Sequence, residues 1–148
     1  MGYTHHWDRA AKLTRTEFRL ALRDIKRIRI ALRPRIRFEY DIAKPAVFND
    51  KLIRFNGIEL EEGHETFYIE RVYTPMEWEN PDEPMPYAFC KTARKPYDTF
   101  VCCCLIILNY YFGDEFKVGS AGDLCDWQQA IDRCDSVLGY GKSFKFSR

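Results

Sequence analysis

Between Thr14 and Arg33 apolar residues recur every three or four positions, and Phe18, Leu22, Ile25, Ile28 and Leu32 form one stripe of a helix. Thr14-Arg15-Thr16-Glu17 is a capping-box pattern at its start, and Pro34 marks its stop. Arg35-Ile36-Arg37-Phe38-Glu39-Tyr40 then alternates with period two, which predicts an exposed strand. Lys51 to Phe55 and Thr66 to Val72 are the next predicted strands, and Asn56-Gly57 is a hairpin-turn signal. The pattern breaks between Tyr73 and Tyr87, where Pro75, Pro81, Pro84 and Pro86 stand among Glu77, Glu79, Asn80, Asp82 and Glu83. This predicts a Pro-rich acidic loop at about 74–87, an exposed excursion or a partner-binding arm. Trp78 inside it has two natural fates, folding back onto the core or meeting a partner.

Thr99 to Phe112, closed by Gly113, is apolar on all sides and too short for a bilayer, as expected of a helix buried on most of its circumference. Phe116 to Gly119 predicts a short strand, and Ser143 to Phe146 an edge strand. Between them Asp123 to Leu138 predicts a helix with Leu124, Trp127, Ile131, Cys134 and Leu138 on one face. Asp123 would cap that helix at its start, and Gly139 would stop it. Strands in the middle of the chain with helices on either side predict an α+β fold. We expect a single domain over 1–148, with a mostly antiparallel central sheet against one buried hydrophobic helix and two amphipathic ones.

At 148 residues the chain has the size of one domain, and 16% aromatic content excludes a disordered one. No 18-residue apolar run is present, and the start Met1-Gly2-Tyr3-Thr4-His5-His6-Trp7 lacks the apolar stretch of a signal peptide. A cytoplasmic protein is the expectation. The formal net charge of +1 conceals a split: residues 1–37 carry 11 basic and 3 acidic side chains, and the rest carry 12 and 19. The six cysteines have no C-x-x-C spacing, and Cys102, Cys103 and Cys104 are consecutive. Three adjacent helical residues point in three directions, so at most one of them can serve any one site. The cysteines read as small buried hydrophobes in a reducing compartment, and the sequence calls for no metal and no cofactor.

The densest chemistry is Lys91-Thr92-Ala93-Arg94-Lys95-Pro96-Tyr97-Asp98, ahead of the buried helix. Basic groups at a helix N-terminus oppose its dipole at about 0.3–1 kcal/mol each. Either Asp98 offsets them, by pairing with Arg94 or capping the helix, or the segment holds an anion. Helix N–H groups, the Thr92 hydroxyl and the cations Lys91, Arg94 and Lys95 are what a phosphate needs. Tyr97, Trp7 or His5 would then contact a base or sugar. The catalytic candidates are weak: His5, and His64 with Glu65, have no evident partner. No Walker sequence, G-x-S-x-G or dinucleotide fingerprint occurs. Arg19, Arg23 and Arg27 on the first helix either meet a partner or pair with acidic groups of the same fold, the second being favoured. Nucleic acid ranks behind a small phosphate-bearing ligand or a protein as partner.

Gly2-Tyr3-Thr4-His5 with Trp7, Arg54-Phe55-Asn56-Gly57, Glu65-Thr66-Phe67, the run Phe89-Cys90-Lys91-Thr92-Ala93-Arg94-Lys95-Pro96-Tyr97-Asp98, and Asp126-Trp127 resemble a family of small uncharacterised phage, prophage and bacterial proteins. Many of these open Met-Gly-Tyr-Thr-His-Tyr-Trp, and His6 here stands in place of the second aromatic residue. The resemblance implies no defined activity. It implies an accessory or anti-defence role, either sequestering a nucleotide signal or inhibiting a host defence complex through the basic helix and Trp78. The expectation is binding without catalysis. A phosphodiesterase or hydrolase is the remaining alternative, and an oligomer is compatible with the sequence.

Overall fold

The computed structural model describes residues 2–39 and 43–147. The first strand, β1 (Thr4–Arg9), alternates in burial: His5, Trp7 and Arg9 face inward, and Thr4, His6 and Asp8 face outward. Two of those three inward residues are polar, which is why the segment does not read as a strand from sequence. The helix α1 (Arg15–Leu32) follows and buries Phe18, Leu22, Ile25 and Ile28, the predicted stripe, together with Asp24; Leu32 is half-buried. Arg33 closes it in a left-handed conformation. The capping box does not form, because the Thr14 hydroxyl donates to the Glu17 carboxylate instead of accepting a backbone N–H.

Only β2 (Ile36–Arg37) forms where the alternation over 35–40 predicts a strand, and Tyr40 lies outside the described residues. After β3 (Val47–Phe48) comes β4 (Leu52–Gly57), which runs through Asn56-Gly57 without a hairpin turn. Buried Asn56 explains the difference. Its amide donates to the His64 carbonyl (2.8 Å) and its Oδ1 accepts from the N–H of His64 (3.1 Å), stitching the end of β4 across the short helix α2 (Glu59–Glu62). Gly57 is required by that closeness, since a Cβ on it would stand 2.0 Å from the Glu62 carbonyl oxygen. Gly57→Ala is expected to destabilise the fold by about 2–4 kcal/mol, because rigid backbone must move. Urea unfolding checks it, and a change under about 0.5 kcal/mol would refute the close approach.

Next are β5 (Phe67–Glu70) and β6 (Tyr87–Lys91), then α3 (Asp98–Phe112), which ends at Gly113 as expected and continues into a 3-10 turn. β7 (Phe116–Ser120) and α4 (Gln128–Leu138) complete the elements. Asp123 does not cap α4. Its carboxylate accepts from the Asp126 N–H while Asp126 accepts from the Asp123 N–H, a reciprocal turn ahead of the helix that leaves Leu124 40% exposed. Ser143 to Phe146 forms no strand; Phe144 stacks on Trp127 at 5.2 Å instead.

The strands make two antiparallel sheets, β6-β1-β7 and β2-β4-β3 with β5 on β4. The fold is α+β. The Phe55 ring lies 5.1 Å from that of Phe67 and 4.9 Å from that of Phe100, and Trp7 packs 5.6 Å from Phe67, so side chains from both sheets and α3 share one core. α3 buries ten of its side chains and lies against α1 and α4. Each buried large apolar side chain contributes about 1.5–3 kcal/mol. No described helix is long and apolar enough to cross a membrane.

Candidate functional site

His5, the second residue of β1 in the middle of the first sheet, lies opposite Cys90 of β6 and Ser120 of β7. Its imidazole is fully buried, with the rings of Tyr3 and Trp127 edge-on at 5.0 and 4.9 Å. The first residue of α3 points at it: His5 Nε2 and Asp98 Oδ1 are 2.6 Å apart, and the buried Thr92 hydroxyl donates to the same oxygen at 2.5 Å. On the opposite side Ser120 Oγ lies 2.8 Å from His5 Nδ1. Ser120 also accepts from the Gly122 N–H (3.0 Å) and the Trp127 indole N–H (3.3 Å). With both lone pairs of its oxygen engaged, its own proton goes to Nδ1, so Nε2 carries the imidazole proton and donates it to Asp98. Cys102, one helical turn beyond Asp98, brings its Sγ to 3.4 Å from His5 Nε2 and 3.8 Å from Asp98 Oδ2. Burial, reinforced by Asp98, holds its thiol well above the ordinary cysteine value.

The turn between β6 and α3 is held rigidly. The N–H groups of Thr92 and Ala93 both donate to the Tyr3 carbonyl at 3.1 Å, and Ala93 and Arg94 are both left-handed, at φ 52° and 58°. Two successive non-glycine residues in that region are strained and persist only where their surroundings fix them. The Arg94 guanidinium lies 3.9 Å over the Tyr3 ring and pairs with Asp126 at 3.2 Å. The Tyr3 hydroxyl is buried without a hydrogen-bond partner of regular geometry, and burial, then Asp98, pushes its pKa up to about 12.

These positions correct several sequence expectations. Asp98 neither pairs with Arg94 nor caps α3; it belongs to His5 and Thr92. Trp7 and Tyr97 are each 1% exposed, Trp7 against Phe67 and Phe116 and Tyr97 with its hydroxyl on the Glu65 carbonyl, so neither presents a face to a ligand. The Glu65 carboxylate accepts the Lys91 N–H at 2.7 Å and anchors β6. Lys91 closes β6, Arg94 and Lys95 lie in the turn that follows it, and Lys91 and Lys95 have no ion-pair partner among the described residues. On α1, Arg19 pairs with Asp50 (3.2 Å) and Arg23 with Asp24 (3.1 Å), while Arg27 donates to the Val137 carbonyl (3.0 Å). All three arginines are thus engaged within their own fold. Trp78 remains 81% exposed and does not return to the core.

Sequence reasoning passed over Ser120 and Cys102. Asp98 and Cys102 carry a readable signal, an i, i+4 pair on one helix face. Cys103, by contrast, turns to the Ala130 carbonyl of α4. No family model matches this chain, and neither a curated protein nor a solved structure matches it.

Proposed function

We propose that this protein binds a phosphate-bearing small molecule, a nucleotide or nucleotide-derived signal, at the Lys91–Asp98 turn and does not turn it over. The observation that carries the reading is the charge state of the turn. Its one carboxylate, Asp98, is engaged by His5 and Thr92, which leaves Lys91, at the end of β6, and Lys95, just ahead of α3, without an ion-pair partner among the described residues. An anion there gains charge-assisted bonds of about 1.5–3 kcal/mol each.

Binding is favoured over hydrolysis by the way the neighbouring relay is closed. Ser120, His5 and Asp98 stand in the order of nucleophile, base and acid. Yet the ring is fully buried, and Ser120 Oγ already accepts two N–H bonds, which leaves it no lone pair for attack. Binding without turnover lowers the free concentration of a ligand, the behaviour of a sequestering accessory protein such as an anti-defence protein. The free thiols fit a reducing, cytoplasmic setting.

Isothermal titration with inorganic phosphate, nucleotides and cyclic dinucleotides tests the proposal. At least one should bind, more weakly as salt rises, and Lys91→Ala/Lys95→Ala should weaken it about a hundredfold through the loss of two charge-assisted bonds. Absence of heat with every member of the panel defeats the reading.

A second reading, capture of a protein partner, draws on the exposed Trp78. Its neighbour Met76, 58% exposed, lines a groove of about 560 Å³ with Arg54, Tyr68 and Glu70. On this reading Trp78→Ala abolishes partner capture, and charge reversal of the self-paired Arg19 does not.

A further inference from the structure

We propose that His5, Asp98 and Cys102 form a binding site for a thiophilic divalent cation of the zinc class. One nitrogen, one carboxylate oxygen and one sulfur converge within 4.8 Å of one another, drawn from β1 and from two positions one turn apart on α3. Bond lengths of about 2.0–2.3 Å to such a cation place tetrahedral ligand atoms roughly 3.3–3.6 Å apart. The separations of Cys102 Sγ, 3.4 Å from His5 Nε2 and 3.8 Å from Asp98 Oδ2, are close to those edges. The Nε2–Oδ1 separation of 2.6 Å is a direct hydrogen bond that the cation replaces, opening the pair by several tenths of an ångström.

Charge and protons balance in this exchange. The Cys102 thiol loses its proton to solvent, and a thiolate plus a carboxylate neutralise the dication, so the filled site buries no net charge. His5 remains neutral: Nε2 gives up its proton to become a ligand and Nδ1 takes one. Ser120 Oγ, 2.8 Å from Nδ1, then accepts that N–H in place of the longer Trp127 indole contact (3.3 Å) and orients the ring, the usual support for a metal-bound imidazole. The Ser120 hydroxyl, released from His5, has the otherwise unpartnered Tyr3 hydroxyl beside it. Asp98, whose side chain is 18% exposed while His5 is fully buried, marks the side from which the cation enters and a fourth ligand, water, completes the shell.

The site takes no ligand from Lys91 or Lys95, the cations of the anion reading, and it keeps Asp98 engaged. The test is titration of the reduced, chelator-stripped full chain with cobalt(II), then zinc. One equivalent of cobalt should produce thiolate-to-metal charge-transfer absorption with the visible bands of a four-coordinate ion, and zinc should erase both. Cys102→Ala should remove the charge-transfer band and weaken zinc binding about a hundredfold, as expected for loss of one of three ligands. Cys125→Ala, at the exposed cysteine, should change neither. Should Cys102→Ala fail to fold, Asp98→Asn should weaken zinc binding while retaining the thiolate band. Absence of a thiolate band in the wild-type chain, or a band and zinc affinity that survive Cys102→Ala, overturns the proposal, whatever the phosphate titration yields.

Discussion

Arg9→Leu is expected to lower the free energy of unfolding by about 2–4 kcal/mol. Arg9 is 1% exposed at the end of β1 and has no ion-pair partner among the described residues. Its guanidinium donates to four backbone carbonyls: Ala10 (3.0 Å), Ala11 (3.4 Å), Arg71 (3.0 Å) and Glu70. Two belong to its own strand's exit and two to the end of β5, so one side chain ties the two sheets together. The same seam holds the Leu13 N–H on the Arg71 carbonyl (2.9 Å) and the Arg71 guanidinium on the Leu13 carbonyl (3.0 Å). Burial drags the pKa of Arg9 down to about 10, still charged near neutrality. Leucine fills much of the space but donates nothing, leaving buried carbonyls short of a partner. Lysine, with three donors on a point charge, recovers only part. Urea unfolding reads the difference as a lower midpoint; a loss under about 1 kcal/mol for leucine would mean that water replaces the guanidinium.

Asp24→Ala is expected to cost about 2–4 kcal/mol, by leaving two half-buried phenols without their acceptor. Asp24, 1% exposed on α1, accepts from Tyr111 of α3 (2.5 Å), Tyr140 beyond α4 (2.8 Å) and the Arg23 guanidinium (3.1 Å). It joins α1, α3 and the segment that follows α4 at one carboxylate. Burial pushes its pKa up, but the two phenols and Arg23 outweigh that and hold it below the usual aspartate value. A carboxyl with a depressed folded pKa stabilises the protein above its unfolded value of about 3.9, and loses that contribution as pH falls through the lower folded value. Below about pH 4, therefore, wild-type stability should fall more steeply than that of Asp24→Asn, which has no proton to take up. Parallel pH slopes for the two proteins would show that Asp24 is not the group responsible. The same carboxylate, after burial, raises the pKa of Tyr140 and Tyr111, so both phenols remain donors through neutral pH.

The three large helices were legible because their apolar positions repeat at the helical period, and α3 because an unbroken apolar run of that length has few other fates. β4, β5 and β7 were legible from short apolar alternation. β1 and β6 were not. The inward positions of β1 include His5 and Arg9, polar by type and buried in fact, while β6 faces Tyr87 and Phe89 outward at 43% and 55% exposure and turns Ala88 and Cys90 the other way. Alternation scored by residue type misses the first and inverts the second. The Asn56-Gly57 signal failed for a related reason: the glycine serves a close approach of backbone, not a turn.

The Lys91–Asp98 turn was visible as a cluster of charge, but its electrostatics depended on a histidine 93 positions away from Asp98. By itself the sequence determined the helices, the α+β class and the concentration of positive charge on α1. Those follow from local periodicity and composition, which operate over a few turns of chain. Tertiary structure decided which polar side chains are buried and with whom: His5 with Asp98 and Ser120, Arg9 with four carbonyls, Asp24 with two phenols. A buried polar group is tolerated only with a partner of matching geometry, and such partners arrive from distant segments once the sheets and helices have closed around them.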